Sequence, residues 1–66
     1  MSTALQSDDQ LLYTPAEAAV KLRYGRSTVY ELMAAGLLKY TKRGRSRRIR
    51  RSDLEEYVNN LETLPN

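Results

Sequence analysis

The chain has 66 residues, with eleven Lys and Arg against eight Asp and Glu, and a formal net charge of +3. A chain this short buries only about 60% of the surface that its unfolded form exposes, which argues against a deep substrate pocket. The absence of His and Cys excludes thiol nucleophiles, disulfides and Cys/His zinc sites, and it removes the commonest general base. No apolar run approaches the roughly 20 residues of a membrane span. We therefore expect a small soluble protein that is not an enzyme and needs no metal or cofactor.

The positive charge is concentrated in one segment. Residues 39–51 contain eight Lys and Arg and no acid, whereas residues 53–66 contain four acids and no Lys or Arg. This segregation causes self-repulsion that a polyanionic partner would offset. A solvated face is the alternative interpretation, but the density of arginine favours a surface that binds phosphate.

The first structural signals follow a polar segment. Residues 1–10 have no periodicity and are predicted to be a disordered leader to one domain over residues 11–64. Thr14 is predicted to cap the first helix, with Pro15 at its first position and Glu17 completing a capping box.

A second helix is predicted to begin at about Arg26, with Gly25 as its N-cap, and to end at Gly36 in the left-handed conformation. Leu37 is expected to make the apolar contact that follows such a cap. About three residues separate the two helices, which is typical of a helix-turn-helix.

The period then changes to that of a β-hairpin. Residues 38–50 alternate apolar with polar on either side of a Gly-containing turn over residues 42–46. An isolated two-stranded hairpin is marginally stable, so Leu38, Tyr40 and Ile49 are expected to pack against the helices.

A second capping box, over residues 52–55, predicts a third helix. Leu54, Tyr57, Val58 and Leu61 have helical spacing and are expected to close the core, which leaves no spare apolar face for a stable dimer. The predicted fold is mainly α with a small β-hairpin, a winged helix-turn-helix with a two-stranded wing and a C-terminal helix.

The stretch from Leu12 to Val58 resembles the excisionase-type DNA-binding domains, relatives of the mercury-regulator (MerR-like) winged helices. The segments that carry the resemblance are LYTPAEAA at 12–19, RSTVYEL at 26–32, GLL at 36–38, GR at 44–45, RIRR at 48–51 and DLE at 53–55.

The resemblance implies that the second helix enters the major groove of double-stranded DNA and that the wing lies against the adjacent minor groove. Many members are phage or mobile-element excisionases, also called recombination directionality factors. They bind neighbouring sites, bend DNA and direct a tyrosine integrase toward excision, and they catalyse nothing themselves. Their place of action is the bacterial cytoplasm, at the nucleoid. We expect weak head-to-tail self-association on DNA, no membrane contact and no small-molecule effector.

Candidate contacts on the second helix share the face opposite its apolar stripe. The helix N-terminus suits phosphate, and the guanidinium fork of Arg26 suits guanine O6 and N7. The alternatives are that two hydroxyl residues only cap the helix, that the tyrosine packs beneath the wing, and that the glutamate faces outward rather than reading cytosine. The predicted contacts are Arg26, Ser27, Thr28, Tyr30 and Glu31.

Candidate contacts on the wing are mostly arginines, which the negative potential of a narrow minor groove attracts. The alternative is that they bind phosphates without reading groove shape. Arg50 and Arg51 either clamp phosphates or pair with Asp53 or Glu55. The predicted contacts are Lys42, Arg43, Gly44, Arg45, Ser46, Arg47, Arg48 and Arg50.

The chain departs from the family pattern at three places, one of them Glu31, where the family frequently has a basic residue. The family usually has Gly-Val-Ser before the second helix, where this chain has residues 23–25 (Arg-Tyr-Gly). Either Arg23 holds a left-handed conformation, with a strain of about 1–2 kcal/mol, or the turn shifts to use Gly25. The family often has an aromatic residue where Arg47 stands.

Other functions compete with excision. A small transcriptional repressor or activator of the same fold would show much the same sequence pattern. An arginine-rich RNA-binding element is less expected, because five Tyr and no Phe or Trp provide few stacking platforms. An enzyme is the least expected class, because neither Ser27 nor Tyr30 has a His to act as base.

Overall fold

A computed structural model of the protein describes residues 10–64. Three strands form one antiparallel sheet in the order β1-β3-β2, and three helices accompany it. The prediction of a mainly α winged helix-turn-helix is confirmed. The elements are β1 (Leu12–Tyr13), α1 (Pro15–Leu22), α2 (Arg26–Ala34), β2 (Thr41–Arg43), β3 (Ser46–Arg50) and α3 (Arg51–Asn59).

The start of α1 has the predicted capping box. The Thr14 hydroxyl accepts a hydrogen bond from the Glu17 backbone N–H at 3.1 Å, and the Glu17 carboxylate accepts one from the Thr14 N–H at 2.9 Å. The bond from the Thr14 backbone is the main reason why the pKa of Glu17 is lowered. Gln10 also donates to this carboxylate at 3.0 Å, so contacts with the domain begin within the predicted leader. The rest of that leader lies outside the described residues.

The turn between α1 and α2 depends on a left-handed arginine. Arg23 has φ 61° and ψ 39°, while Gly25 is extended, with φ −74°, and is the N-cap of α2. Because Arg23 turns the chain back, the N–H of Tyr24 reaches the carbonyl of Ala19 at 2.9 Å. Of the two arrangements that the sequence left open, the structure has the strained one.

The end of α2 has the same hydrogen-bond pattern as the end of α1, but here the left-handed residue is a glycine, which adopts that conformation without strain. Gly36 has φ 77°, and the Leu37 N–H donates to the carbonyl of Leu32 at 2.9 Å. The Leu37 side chain is 64% exposed, so the predicted apolar contact is wrong. The chain turns at Gly36 in such a way that Leu38, the residue after Leu37, enters the core instead.

The sheet contains a strand that the sequence analysis missed. Strand β1 pairs with β3 through Leu12 opposite Arg50 and Tyr13 opposite Ile49. A two-residue strand is too short to show periodicity. Even so, it places Tyr13 in the core and makes β3 the central strand.

The hairpin is shorter than predicted. Strand β2 begins at Thr41 rather than at residue 38, and the turn contains only Gly44 and Arg45. Gly44 has φ 60°, the conformation that a tight two-residue hairpin turn needs. Tyr40 is 38% exposed and does not join the core as predicted; instead, the Arg47 guanidinium lies over its ring, 5.8 Å from the centroid.

Helix α3 begins without the predicted capping box. Its N-cap is Arg50, with no side-chain cap hydrogen bond, because α3 follows β3 directly. The first helical amide, of Arg51, donates to the Leu11 carbonyl at 2.9 Å, so a backbone carbonyl from a neighbouring segment accepts a hydrogen bond at the start of the helix. The Asp53 carboxylate accepts a hydrogen bond from the Arg50 side chain.

The predicted closure of the core by Leu54, Tyr57, Val58 and Leu61 is only half correct. Val58 and Leu61 are each 46% exposed, and Leu61 lies beyond α3, which ends at Asn59. Tyr57 is partly buried and meets Tyr24 edge-on, with their hydroxyls 3.2 Å apart, and this hydrogen bond raises the pKa of Tyr57. The buried core consists of Tyr13, Ala18, Ala19, Val29, Met33, Leu38, Ile49 and Leu54.

The strain at Arg23 predicts a stabilising substitution. Arg23→Gly should raise the free energy of unfolding by about 0.5–1 kcal/mol, the relief of left-handed strain less the flexibility that glycine adds to the unfolded chain. Urea unfolding followed by circular dichroism measures this. Arg23→Ala, which keeps a Cβ, should change little, and Gly36→Ala should lower stability by about 1 kcal/mol. Equal stabilities of the Gly and Ala variants at position 23 would contradict the strain.

Candidate nucleic-acid interface

Helix α2 presents all five of its predicted contacts to solvent. Val29 and Met33 face the core, so the opposite face of α2 is exposed to solvent. No side-chain hydrogen bond caps the start of α2, so the capping alternative for Ser27 and Thr28 finds no support within residues 10–64. The exposed residues are Arg26, Ser27, Thr28, Tyr30 and Glu31.

Alternation along the strands divides the cations of the wing between two faces. Ile49 is buried and Lys42 pairs with Arg47 in register, so we call the side shared by Lys42, Arg47 and Ile49 the inner face. The opposite side, the outer face, carries Arg43, Arg48 and Arg50. Arg45 stands at the tip, in the turn.

A groove lies between the wing, α2 and the start of α1. It has a volume of about 530 Å³, and four of its lining residues are cations while none is an acid. Tyr30 lies in the wall of this groove and is partly exposed, so it is not packed away beneath the wing. The lining residues are Pro15, Tyr30, Lys42, Arg45, Ser46, Arg47 and Arg48.

Three cations of the basic segment pair with acids of α3. The N–O distances are 3.7 Å for Lys39 and Glu56, 2.9 Å for Arg50 and Asp53, and 3.2 Å for Arg51 and Glu55. The proposed pairing of Arg50 and Arg51 with these acids is confirmed. Exposed pairs of this kind contribute little to stability. Their effect is on the distribution of charge, because they compensate the two ends of the hairpin at Lys39, Arg50 and Arg51, which we call the base of the wing, and leave its tip positive.

The remaining five cations of the segment form no salt bridge within the described part of the chain. The guanidinium of Arg48 donates to the Arg47 carbonyl at 2.9 Å, and its charge contributes to the lowered pKa of Glu17. Arg48 therefore connects the wing with the start of α1. The five residues are Lys42, Arg43, Arg45, Arg47 and Arg48.

Two features of the site were missed by sequence reasoning. One is the cation–π contact in which the Arg47 guanidinium lies over the Tyr40 ring. The division of the wing into two faces was also missed, although the burial of Ile49 and a period of two were sufficient to find it. None of the helices in residues 10–64 has the length and hydropathy of a membrane span.

Comparison with known proteins gives one match. A family model described as "Helix-turn-helix domain" matches residues 12–62, which include all six elements. No match was found among curated proteins or among solved structures. The matched family includes excisionase-like DNA-binding proteins. The chain therefore belongs to the helix-turn-helix domain family, and its partner is DNA.

Proposed function

We propose that the protein binds double-stranded DNA sequence-specifically, with α2 in the major groove and the wing in the adjacent minor groove. The observation that supports this best is the groove between the wing, α2 and the start of α1, whose lining in the described residues contains four cations and no acid. A phosphate backbone fits there between the two DNA grooves, and Tyr30 and Ser46 supply neutral hydrogen-bonding groups beside it.

The proposed roles differ between helix and wing. Arg26, in the first turn of α2, reads a base edge, and its fork matches guanine O6 and N7. Ser27 and Thr28 lie beside the open helix N-terminus and bind phosphate. Glu31 is exposed one turn further along and accepts from cytosine N4 where it meets a base.

The wing binds by charge and by groove shape. Arg45 at the tip, beside Gly44, enters the minor groove, whose negative potential is strongest where it is narrow. Lys42, Arg47 and Arg48, which line the groove with Tyr30, contact the backbone there, and Arg43 contacts it on the outer side.

We further propose that the protein is an architectural factor that directs a tyrosine integrase toward excision at the bacterial nucleoid. A single small module buries about 600–1,000 Å² on DNA, too little for high specificity, so several copies on neighbouring sites are needed. Wings that enter successive minor grooves bend the duplex. Membership of a family that includes excisionase-like proteins supports this reading.

The surface of α3 supports weak association of copies on DNA. Val58 and Leu61 are half-exposed. The three acids of α3 are paired with cations, but Glu62, beyond the end of α3, forms no salt bridge within residues 10–64. Since the wing is positive, Glu62 of one copy complements the wing of the next in a head-to-tail order. Two such ends facing each other would instead bring the Glu62 carboxylates together, which disfavours a symmetric dimer.

Binding should depend steeply on salt, because the wing carries five cations that form no ion pair within residues 10–64 and α2 adds Arg26. About five to eight phosphate contacts give a slope of log K against log salt of roughly −4.5 to −7. Filter binding on a footprinted site between 50 and 300 mM salt measures it. A slope near zero would exclude a phosphate-dominated interface.

Helix and wing should respond differently to substitution. Arg26→Ala should weaken binding to the specific site by about 1–3 kcal/mol and relax base preference, because it removes a direct base contact. Lys42→Ala should weaken binding to every duplex similarly and reduce the salt slope by about one unit. Fluorescence anisotropy on specific and random duplexes compares them. Equal losses on both duplexes for both variants would contradict the placement of α2 in the major groove.

Association should depend on DNA. Free protein should sediment as a monomer, while duplexes with one, two or three sites should fill cooperatively with an increasing bend in gel shifts. Glu62→Lys, which reverses charge at the acidic end, should reduce cooperativity and leave single-site affinity undiminished. A stable dimer off DNA, or independent filling with no change in bend, would contradict the model. Protection confined to a promoter, without bending, would favour the transcriptional regulator.

A further inference from the structure

A buried acid holds an exposed arginine at the base of the wing. Asp53, in the first turn of α3, has only 6% of its surface exposed and is the one buried polar or charged side chain in residues 10–64. Its Oδ2 accepts a hydrogen bond from Nε of Arg50 at 2.9 Å. The Arg50 side chain is 57% exposed. The acid is therefore anchored in the protein while the guanidinium projects toward solvent.

The hydrogen bond leaves most of the guanidinium available. Arginine has five N–H donors in a rigid planar fork, and this contact uses the one on Nε. The structure gives the Nη groups of Arg50 no partner within residues 10–64. The backbone of Arg50 is also fixed, since it pairs with Leu12 in the sheet and the next amide, of Arg51, bonds to Leu11. A ligand can therefore reach Arg50 through its Nη groups, on the solvent side of the guanidinium.

The position of Arg50 identifies that ligand. Alternation along β3 places it on the outer face of the wing, and it is not among the residues that line the groove with Tyr30. A wing inside a DNA groove has a sugar–phosphate backbone on either side. The cations that line the groove meet one of these backbones, so Arg50 is left to meet the other.

We propose that Asp53 is a positioning residue for DNA binding, which holds Arg50 so that its Nη groups bind a phosphate of the strand bordering the outer face of the wing. The inference rests on the proposed DNA-binding function and extends it to a residue whose charge is opposite to that of the interface. It explains why an acid is buried beside a surface that binds a polyanion.

Charge and positioning predict opposite results for Asp53→Asn. On charge alone, removal of a carboxylate near phosphate strengthens binding. If Asp53 orients the fork, the same change weakens binding, on the order of three- to tenfold, because a charge-assisted hydrogen bond is lost and the arginine is no longer held in place. Glu55→Gln is the matched control, because it removes an exposed acid of the same helix from its pair with Arg51 and leaves Arg50 alone.

The experiment is fluorescence anisotropy with a labelled specific duplex over a salt series, with circular dichroism to verify folding. Asp53→Asn should bind more weakly than the wild type, and Glu55→Gln as tightly or more tightly. Arg50→Ala should weaken binding by about tenfold and make the salt slope shallower by about 0.9. In the Arg50→Ala background, Asp53→Asn should cause no further loss.

The proposal is overturned if Asp53→Asn binds as tightly as Glu55→Gln, or if it weakens binding equally in the absence of Arg50. If Asp53→Asn does not fold, Arg50→Lys decides, because lysine keeps the charge but lacks Nε and the planar fork. It should lose at least threefold in affinity with little change in slope, and wild-type affinity would overturn the proposal. A wild-type protein with no affinity for duplex DNA would defeat the proposed function itself.

Discussion

The burial of Ile49 in the central strand determines where the other side chains of the wing lie. Because Ile49 is fully enclosed and side chains alternate along a strand, Arg47 leaves β3 on the same face as Ile49, whereas Arg48 and Arg50 leave it on the opposite face. The register with β2 extends this division to Lys42 and Arg43. A slip of one residue would expose Ile49 and exchange the two faces, so the hydrophobic core and the charge pattern of the wing are specified together.

Local signals in the sequence predicted local structure well. The capping box at Thr14 and the left-handed Gly36 depend on residues a few positions apart, and both were found. Strand β1 was not found, because its two residues pair with a segment more than thirty positions away. The capping box predicted for α3 failed for a related reason. The amide of Arg51 is satisfied by Leu11, which is distant in sequence and adjacent in space.

The same distinction applies to the candidate site. Helical periodicity identified the exposed face of α2, because burial of Val29 and Met33 determines which residues point outward. Two of the three ion pairs are local in sequence, Arg50 with Asp53 and Arg51 with Glu55, and pairing of this kind was one of the predicted alternatives. The pair of Lys39 with Glu56 could not be predicted, since it depends on how α3 packs beside the hairpin. Three acids of α3 lie within 4 Å of the base of the wing. They concentrate the positive field of the domain toward the tip, where the sequence alone showed a uniform run.

Strand β2 forms an edge of the sheet, and its three residues are all exposed. An open edge offers unpaired N–H and C=O groups to any other strand, and charged side chains on such an edge oppose aggregation. Lys42 and Arg43 therefore protect the free protein from edge-to-edge pairing with its own copies. DNA neutralises these charges only where it also covers the wing, so the edge is protected by repulsion in solution and by occlusion when bound. Neutral substitutions of Lys42 and Arg43 would therefore remove the charge repulsion that protects the free protein, even in the absence of DNA.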